Sequence, residues 1–192
     1  REHQPEITKQ DAVDLARTRL QELSLPERVL TSYPHELSGG MKQRTVIVLS
    51  TLLNPKVLIA DEPTSALDVS SQKAVIRLLM TLLDEQIITS VAFITHELPL
   101  LRQVADRIAI MYAGKLVEVG TMEEIIFEPQ HPYTRALMGS MLVPERHVRE
   151  RRIEGIPGVP PDLKNPPAGC RFHPRCADRI EWCLQEEPPP KT

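Results

Sequence analysis

A short apolar run that ends abruptly in charge constrains this chain more than any other feature. Val57-Leu58-Ile59-Ala60 is followed at once by Asp61-Glu62-Pro63. Four residues, two of them β-branched, are the length and chemistry of a buried strand rather than a helix. A second run, Thr89 to Thr95, leads directly into His96. Between the two, Val75, Leu78, Leu79, Leu82 and Leu83 recur at helical spacing, with Ser70 or Ser71 placed to cap that helix. Upstream, Ser38 opens a helix running to about Leu53, where Asn54-Pro55 stops it. Earlier still, Thr8-Lys9-Gln10-Asp11 resembles a capping box for a helix carrying Ala12, Leu15, Ala16, Leu20 and Leu23. A helix over Leu98–Ala105 follows the second strand. Helix, buried strand, helix, buried strand, helix is the order of an α/β fold with a parallel sheet covered by helices. Such sheets bind ligands beyond the carboxyl ends of their strands, which is where Asp61, Glu62 and His96 fall.

Downstream, Arg107–Met111 and Lys115–Val119 predict a hairpin around Ala113-Gly114, and Thr121-Met122-Glu123-Glu124 opens a short helix that Pro129 ends. His131-Pro132-Tyr133-Thr134-Arg135 reads either as a recognition patch or, the safer view, as a turn and short helix that dock the tail. The composition then changes. Of 18 prolines, ten lie between Pro144 and Pro190, together with all three cysteines. This sets a boundary near residues 140–150, with a periodic region before it and an extension without long helices after it. The formal net charge of −3 carries no basic footprint for nucleic acid. No apolar run reaches the roughly 18–20 residues of a membrane span. An odd cysteine count confined to one segment fits a cytosolic setting better than a secreted disulfide framework.

Ser38-Gly39-Gly40 at a helix mouth reads either as a plain N-cap or as an anion site. For the second, two residues without Cβ admit a close neighbour, the first-turn N–H groups point outward, and Lys42 adds charge one turn in. Asp61-Glu62 are either solvated strand-end carboxylates or a working pair. As a pair, one carboxylate serves Mg²⁺ through water and the other polarises an attacking water, their side chains pointing to opposite sides of an extended backbone.

Four motifs in register carry a family resemblance. Leu37-Ser38-Gly39-Gly40-Met41-Lys42-Gln43-Arg44 looks like the signature motif of ABC-transporter ATPases. Val57 to Thr64 resembles their Walker B motif, Ser65-Ala66-Leu67-Asp68 their D-loop, and Ile94-Thr95-His96-Glu97 their switch histidine. The segment Pro166 to Cys176, with His131 to Arg135, is similar to the oligopeptide/dipeptide (peptide/nickel) importer subfamily. Lys42 and Ser50-Thr51 depart mildly from the family's usual residues.

The resemblance implies a P-loop NTPase-like fold whose domains dimerise head to tail around ATP. It assigns Ser38, Gly39, Gly40, Lys42 and Gln43 to the ATP of the partner domain, and Asp61 to Mg²⁺ through water. It makes Glu62 the general base, sets His96 on the γ-phosphate, and has Asp68 couple the two sites. It implies a peripheral ATPase subunit on the cytoplasmic face of the membrane, with a second ATPase domain, permease subunits and, indirectly, a solute-binding protein as partners. Residues 1–140 correspond to the C-terminal portion of the ATPase domain, with a helical remnant and signature helix over about 1–54 and the Walker B, D-loop and switch core over about 55–130. Residues 141–192 form the extension.

No G-x-x-x-x-G-K-[ST] and no Q-loop candidate occurs, and the chain opens on Arg1 rather than Met. The expectation is therefore a C-terminal piece of a longer ATPase that neither hydrolyses ATP nor binds it tightly by itself. Alternative readings are a soluble non-transport ABC ATPase and a non-catalytic interaction or metal-binding module. Cys170, Cys176 and Cys183 are spaced too loosely for a zinc knuckle. They are either reduced and packed, or ligands of a metal: a 4Fe–4S cluster, as the subfamily resemblance implies, or zinc with His173.

Overall fold

A computed structural model describes residues 7–102, 104–140 and 155–188. The chain divides into two compact units, Arg1–Leu98 and Pro99–Thr192.

The first unit is built on α1 (Lys9–Glu22), α2 (Gly39–Thr51), β1 (Val57–Asp61), α3 (Val69–Asp84) and β2 (Ser90–Ile94). Thr8 and Asp11 close the expected capping box on α1. Buried Arg19 reaches from α1 to Glu22 at 3.1 Å and to Asn54, just past α2, at 2.6 Å. The core gathers Leu20, Leu23, Ile47, Val48 and Leu58 against Val75, Leu78, Leu79 and Leu82 of α3. Thr51 is fully buried, yet its hydroxyl is satisfied within its own helix, donating to the carbonyls of Ile47 and Val48 at 2.9 and 3.0 Å.

Three sequence expectations change. The cap of α3 is Asp68, whose carboxylate accepts from the backbone N–H of Ser70 and Ser71 at 3.0 Å each. The helix thus begins at Val69, ahead of the two serines, because one Asp68 oxygen accepts both N–H groups while the other accepts the Ser71 hydroxyl. The strands are covered on one face only. Leu58 and Ala60 are buried, whereas Val57, Ile59 and Ile94 are more than half exposed. The helices pack against one side of the pair, and alternation turns every second side chain away from them. Finally, the helix after β2 is α4 (Leu98–Leu101), shorter than expected.

β1 and β2 pair in parallel, with Val57 opposite Ser90 and Asp61 opposite Ile94. The two strands therefore end together. Lys56 anchors the other end, its carbonyl accepting from the N–H and hydroxyl of Thr89 at 2.8 and 2.7 Å.

The second unit contains an antiparallel hairpin, β3 (Arg107–Tyr112) and β4 (Lys115–Thr121), then α5 (Met122–Phe127) and α6 (Pro132–Gly139). Ala113 and Gly114, with φ of +48° and +78°, make the two-residue turn in which both positions are left-handed. The tail packs on this hairpin through Tyr112, Tyr133 and Phe172, with ring centroids 4.5 to 5.4 Å apart. Buried Glu118 accepts from the N–H groups of Gln130 and His131 at 2.7 and 3.0 Å, satisfying the chain as it enters α6. Arg175 donates to the carbonyls of Pro157 and Ile156 and to the Tyr112 hydroxyl.

Leu82 has no solvent exposure and sits where α3 meets the rest of the core. Leu82→Ala is expected to lower unfolding stability by about 2–5 kcal/mol, read by urea denaturation of the folded protein. A change under about 1 kcal/mol would show that this face of α3 is not packed as described.

Candidate functional site

Because β1 and β2 stop in register, their following residues meet. Glu62 N–H donates to the Ile94 carbonyl at 2.9 Å, extending the ladder by one bond. The backbone then turns sharply, with Glu62 at φ +47°, a left-handed conformation that a side-chain-bearing residue adopts only under constraint. This differs from the extended backbone expected for Asp61-Glu62. Asp61 ends β1 exposed, and the turn carries the Glu62 side chain across to the neighbouring strand end.

There the Glu62 carboxylate meets His96, with Oε1 2.8 Å from Nδ1. The imidazole is mostly solvent-exposed. Its hydrogen bond to Glu62, and then the Glu62 charge, raise the His96 titration above the ordinary 6.5. The other carboxylate oxygen, Oε2, is buried with no hydrogen-bond partner among the described residues. One oxygen orients an imidazole while the other is enclosed and unpaired, so the carboxylate keeps acceptor capacity beyond the histidine bond.

The Ser38 hydroxyl accepts from Met41 N–H at 3.3 Å and caps α2. Ser38, Gly39 and Lys42 are exposed, and Gly40 and Gln43 partly so, leaving the helix mouth open to a ligand. The two glycines differ in cause. A Cβ on Gly39 would touch Leu67 at an ordinary 3.7 Å. One on Gly40 would lie 2.9 Å from Ser71 Oγ and 3.1 Å from Ser71 Cβ. That hydroxyl cannot swing freely, since it donates to Asp68 at 2.7 Å. The surface approaching Gly40 is thus the chain's own α3, whereas a Cβ on Gly39 would make only an ordinary contact with Leu67. Asp68 likewise has internal work: its bonds to Ser71 hold its carboxyl below the usual carboxylate range.

Sequence reasoning missed Thr64, Gln72 and Glu97, which bond to one another beside the Glu62–His96 pair. The available signal was Gln72 standing four residues after the helix cap, on the same face.

The cysteines of the second unit pack near Tyr112 and Phe172, and Cys170 N–H donates to the Cys183 carbonyl at 2.9 Å. All three are free thiols. Burial pushes the Cys170 and Cys176 thiols upward. Among the described residues no group of three or more His, Cys, Asp or Glu is placed to hold a metal ion. His173 Nδ1 lies 2.9 Å from the Cys170 carbonyl instead. Of the two readings of these cysteines, nothing among the described residues supports the iron–sulfur or zinc one.

Residues 1–65 match the ABC transporter family, and residues 117–183 match the oligopeptide/dipeptide transporter C-terminal region. Over these stretches the chain is similar to ABC-transporter ATP-binding proteins. It is 46% identical to the oligopeptide transport ATP-binding protein OppD of Bacillus subtilis, over 96% of this chain and 50% of that protein. It is 49% identical to the dipeptide transport ATP-binding protein DppD of Caldanaerobacter subterraneus, over 85% of this chain and 49% of that protein. The oligopeptide transport ATP-binding protein OppF of Salmonella typhimurium is 39% identical over 98% of this chain and 56% of its own length. The chain thus spans about half the length of these curated relatives. Among solved structures, a chain described as a metal-chelate type ABC transporter in an inward-facing conformation matches 69% of this chain and 50% of its own. Its TM-score is 0.59 and its identity 25%.

Two measurements test this geometry. Gly39→Ala is expected to keep or slightly raise the melting temperature, since Ala is the better helix former, whereas Gly40→Ala lowers it by crowding Ser71. Equal effects would refute the asymmetry. Glu62→Gln is expected to move the His96 titration downward toward 6.5, followed by NMR of its ring. The sign follows from linkage. A raised imidazole is stabilised by its partner fully below 6.5, and that stabilisation fades as pH rises through the raised value. An unmoved His96 would show that the pair does not form.

Proposed function

We propose that this chain is the carboxyl-terminal half of the ATP-hydrolysing, energy-coupling subunit of an ABC importer for oligopeptides or dipeptides. The observation that carries the reading is the Glu62–His96 pair at the carboxyl ends of two parallel strands, with one carboxylate oxygen enclosed and unpaired among the described residues. The names of the relatives and the match of residues 117–183 support the importer class and its solute.

ATP with Mg²⁺ supplies the phosphoanhydride whose hydrolysis drives the cycle. Asp61, exposed at the end of β1, is the carboxylate that would hold Mg²⁺, which would offset charge on the phosphates. Glu62 takes the proton of the attacking water on its carboxylate, while its bond through Oε1 keeps His96 beside it. His96, exposed and cationic below its raised titration, serves the γ-phosphate. Ser38, Gly39, Gly40, Lys42 and Gln43 present the α2 mouth to the nucleotide of a second ATPase domain docked head to tail. Asp68, by setting the start of α3, ties the loop between β1 and α3 to that mouth through Ser71.

In this reading residues 1–140 complete an ATPase domain and residues 141–192 form its extension. Permease subunits are the membrane partners, approached from the cytoplasmic face, and a solute-binding protein acts through them. None of the described helices is long and apolar enough to cross a membrane, as suits a peripheral subunit. An iron–sulfur cluster on Cys170, Cys176 and Cys183 forms no part of the reading, for want of a placed donor set.

The test is peptide-stimulated ATP hydrolysis by the whole subunit assembled with its permeases in vesicles. Glu62→Gln is expected to lower kcat by about 100-fold or more, the usual range for losing a general base, with ATP binding retained. Near-normal turnover in that variant would sink the assignment of the base.

A further inference from the structure

One cluster beside the site has no role in the reading above. Glu97 directly follows His96, and its carboxylate accepts from Gln72 Nε2 at 3.1 and 3.2 Å. It also accepts from the Thr64 hydroxyl at 3.4 Å, and Gln72 Nε2 reaches the Thr64 carbonyl at 3.5 Å. Glu97 N–H donates to Thr95 Oγ1 at 3.0 Å, closing the turn that presents His96. Thr64 is fully buried, and Gln72 and Glu97 are partly so.

Three segments meet here: the turn after β1 through Thr64, the first turns of α3 through Gln72, and the turn after β2 through Glu97. Glu62 lies two residues before Thr64, and His96 one residue before Glu97. Glu62 and His96 thus hang from loops that this cluster, the last ladder bond and their own hydrogen bond join. A carboxylate bonded to an amide and a hydroxyl gains direction from those bonds rather than neutralisation, which suits holding a geometry. The preceding residue on α3, Ser71, is the one pressed against Gly40. One helical turn therefore touches both the α2 mouth and the histidine loop.

We infer that Gln72 is a positioning residue: by clamping Glu97 to Thr64 it holds His96 against Glu62, and it ties that pair to the α2 mouth. The inference rests on the ATPase reading, because it assigns Gln72 a part in that same site. Its bond reverses cleanly. Gln72→Glu alone sets two carboxylates face to face, whereas Gln72→Glu with Glu97→Gln restores an amide–carboxylate bond with the roles exchanged.

The test measures ATP hydrolysis by the whole subunit with its permeases, alongside the melting temperature of each variant. Gln72→Leu is expected to lower kcat by about tenfold while KM for ATP stays within about twofold, the mark of a misplaced catalytic group rather than lost binding. Gln72→Glu falls at least as far, and the exchanged double variant recovers to within about threefold of wild type. Should Gln72→Leu fail to fold, the comparison of Gln72→Glu with the exchange decides. Wild-type kcat in Gln72→Leu, or no recovery in the exchange, overturns the clamp while leaving the ATPase reading intact. A wild-type subunit that does not hydrolyse ATP overturns the ATPase reading, and the clamp with it.

Discussion

The parallel pairing of β1 with β2, in a register that ends both strands at the same level, is the constraint on which the site depends. Had the strands been offset by even two residues, Glu62 and His96 would stand about 7 Å further apart, beyond any direct bond. That register is held at both ends. At one, Lys56 and Thr89 close the entry; at the other, Glu62 N–H adds a final bond to Ile94. The left-handed backbone at Glu62 follows, because the chain must leave the sheet there while its carboxylate still points across to the neighbouring turn. Strain at that residue is tolerable because the ladder on one side and buried Thr64 on the other determine the path between them.

Residues near the site do double duty. Gly40 is bare because α3 presses on it, and α3 presses there because Asp68 fixes where the helix starts. Ser71 joins the two, bonded to Asp68 and packed on Gly40. A change at any one of these positions is felt at the helix mouth even if no ligand touches it. The proposed roles of Asp68 and Gly40 toward a partner's nucleotide are therefore entangled with local folding, and measurements there need a stability readout beside activity.

The second unit solves a different problem. A proline-rich, cysteine-bearing segment has little apolar surface of its own, and it is organised by three aromatic rings and one arginine. Arg175 replaces missing secondary structure by satisfying two carbonyls and a tyrosine hydroxyl that regular elements would have occupied. Gly169, at φ +63°, admits the Cys183 carbonyl where a Cβ would come within 2.5 Å, so the cysteine segments are brought together by backbone packing.

Much was legible in the residues themselves. Local signals that act within a turn, such as Thr8 with Asp11, Thr121 with Glu124, and Ala113-Gly114, set the capping boxes and the hairpin where expected, because capping and turn chemistry involve near neighbours only. Strand ends carrying Asp61, Glu62 and His96 were readable from the jump between apolar and polar residues. What needed the fold was everything spanning distance. The exposed faces of β1 and β2 depend on which side the helices cover, and a run such as Val57 to Ala60 reads alike whether one face is buried or both. The bonds from Glu62 to His96, and from Thr64 and Gln72 to Glu97, join positions 25 to 34 residues apart. Composition and spacing fixed which groups were available, since those are properties of neighbours along the chain. Pairing register and helix packing decided which of them touch, since those arise only when distant segments share one core.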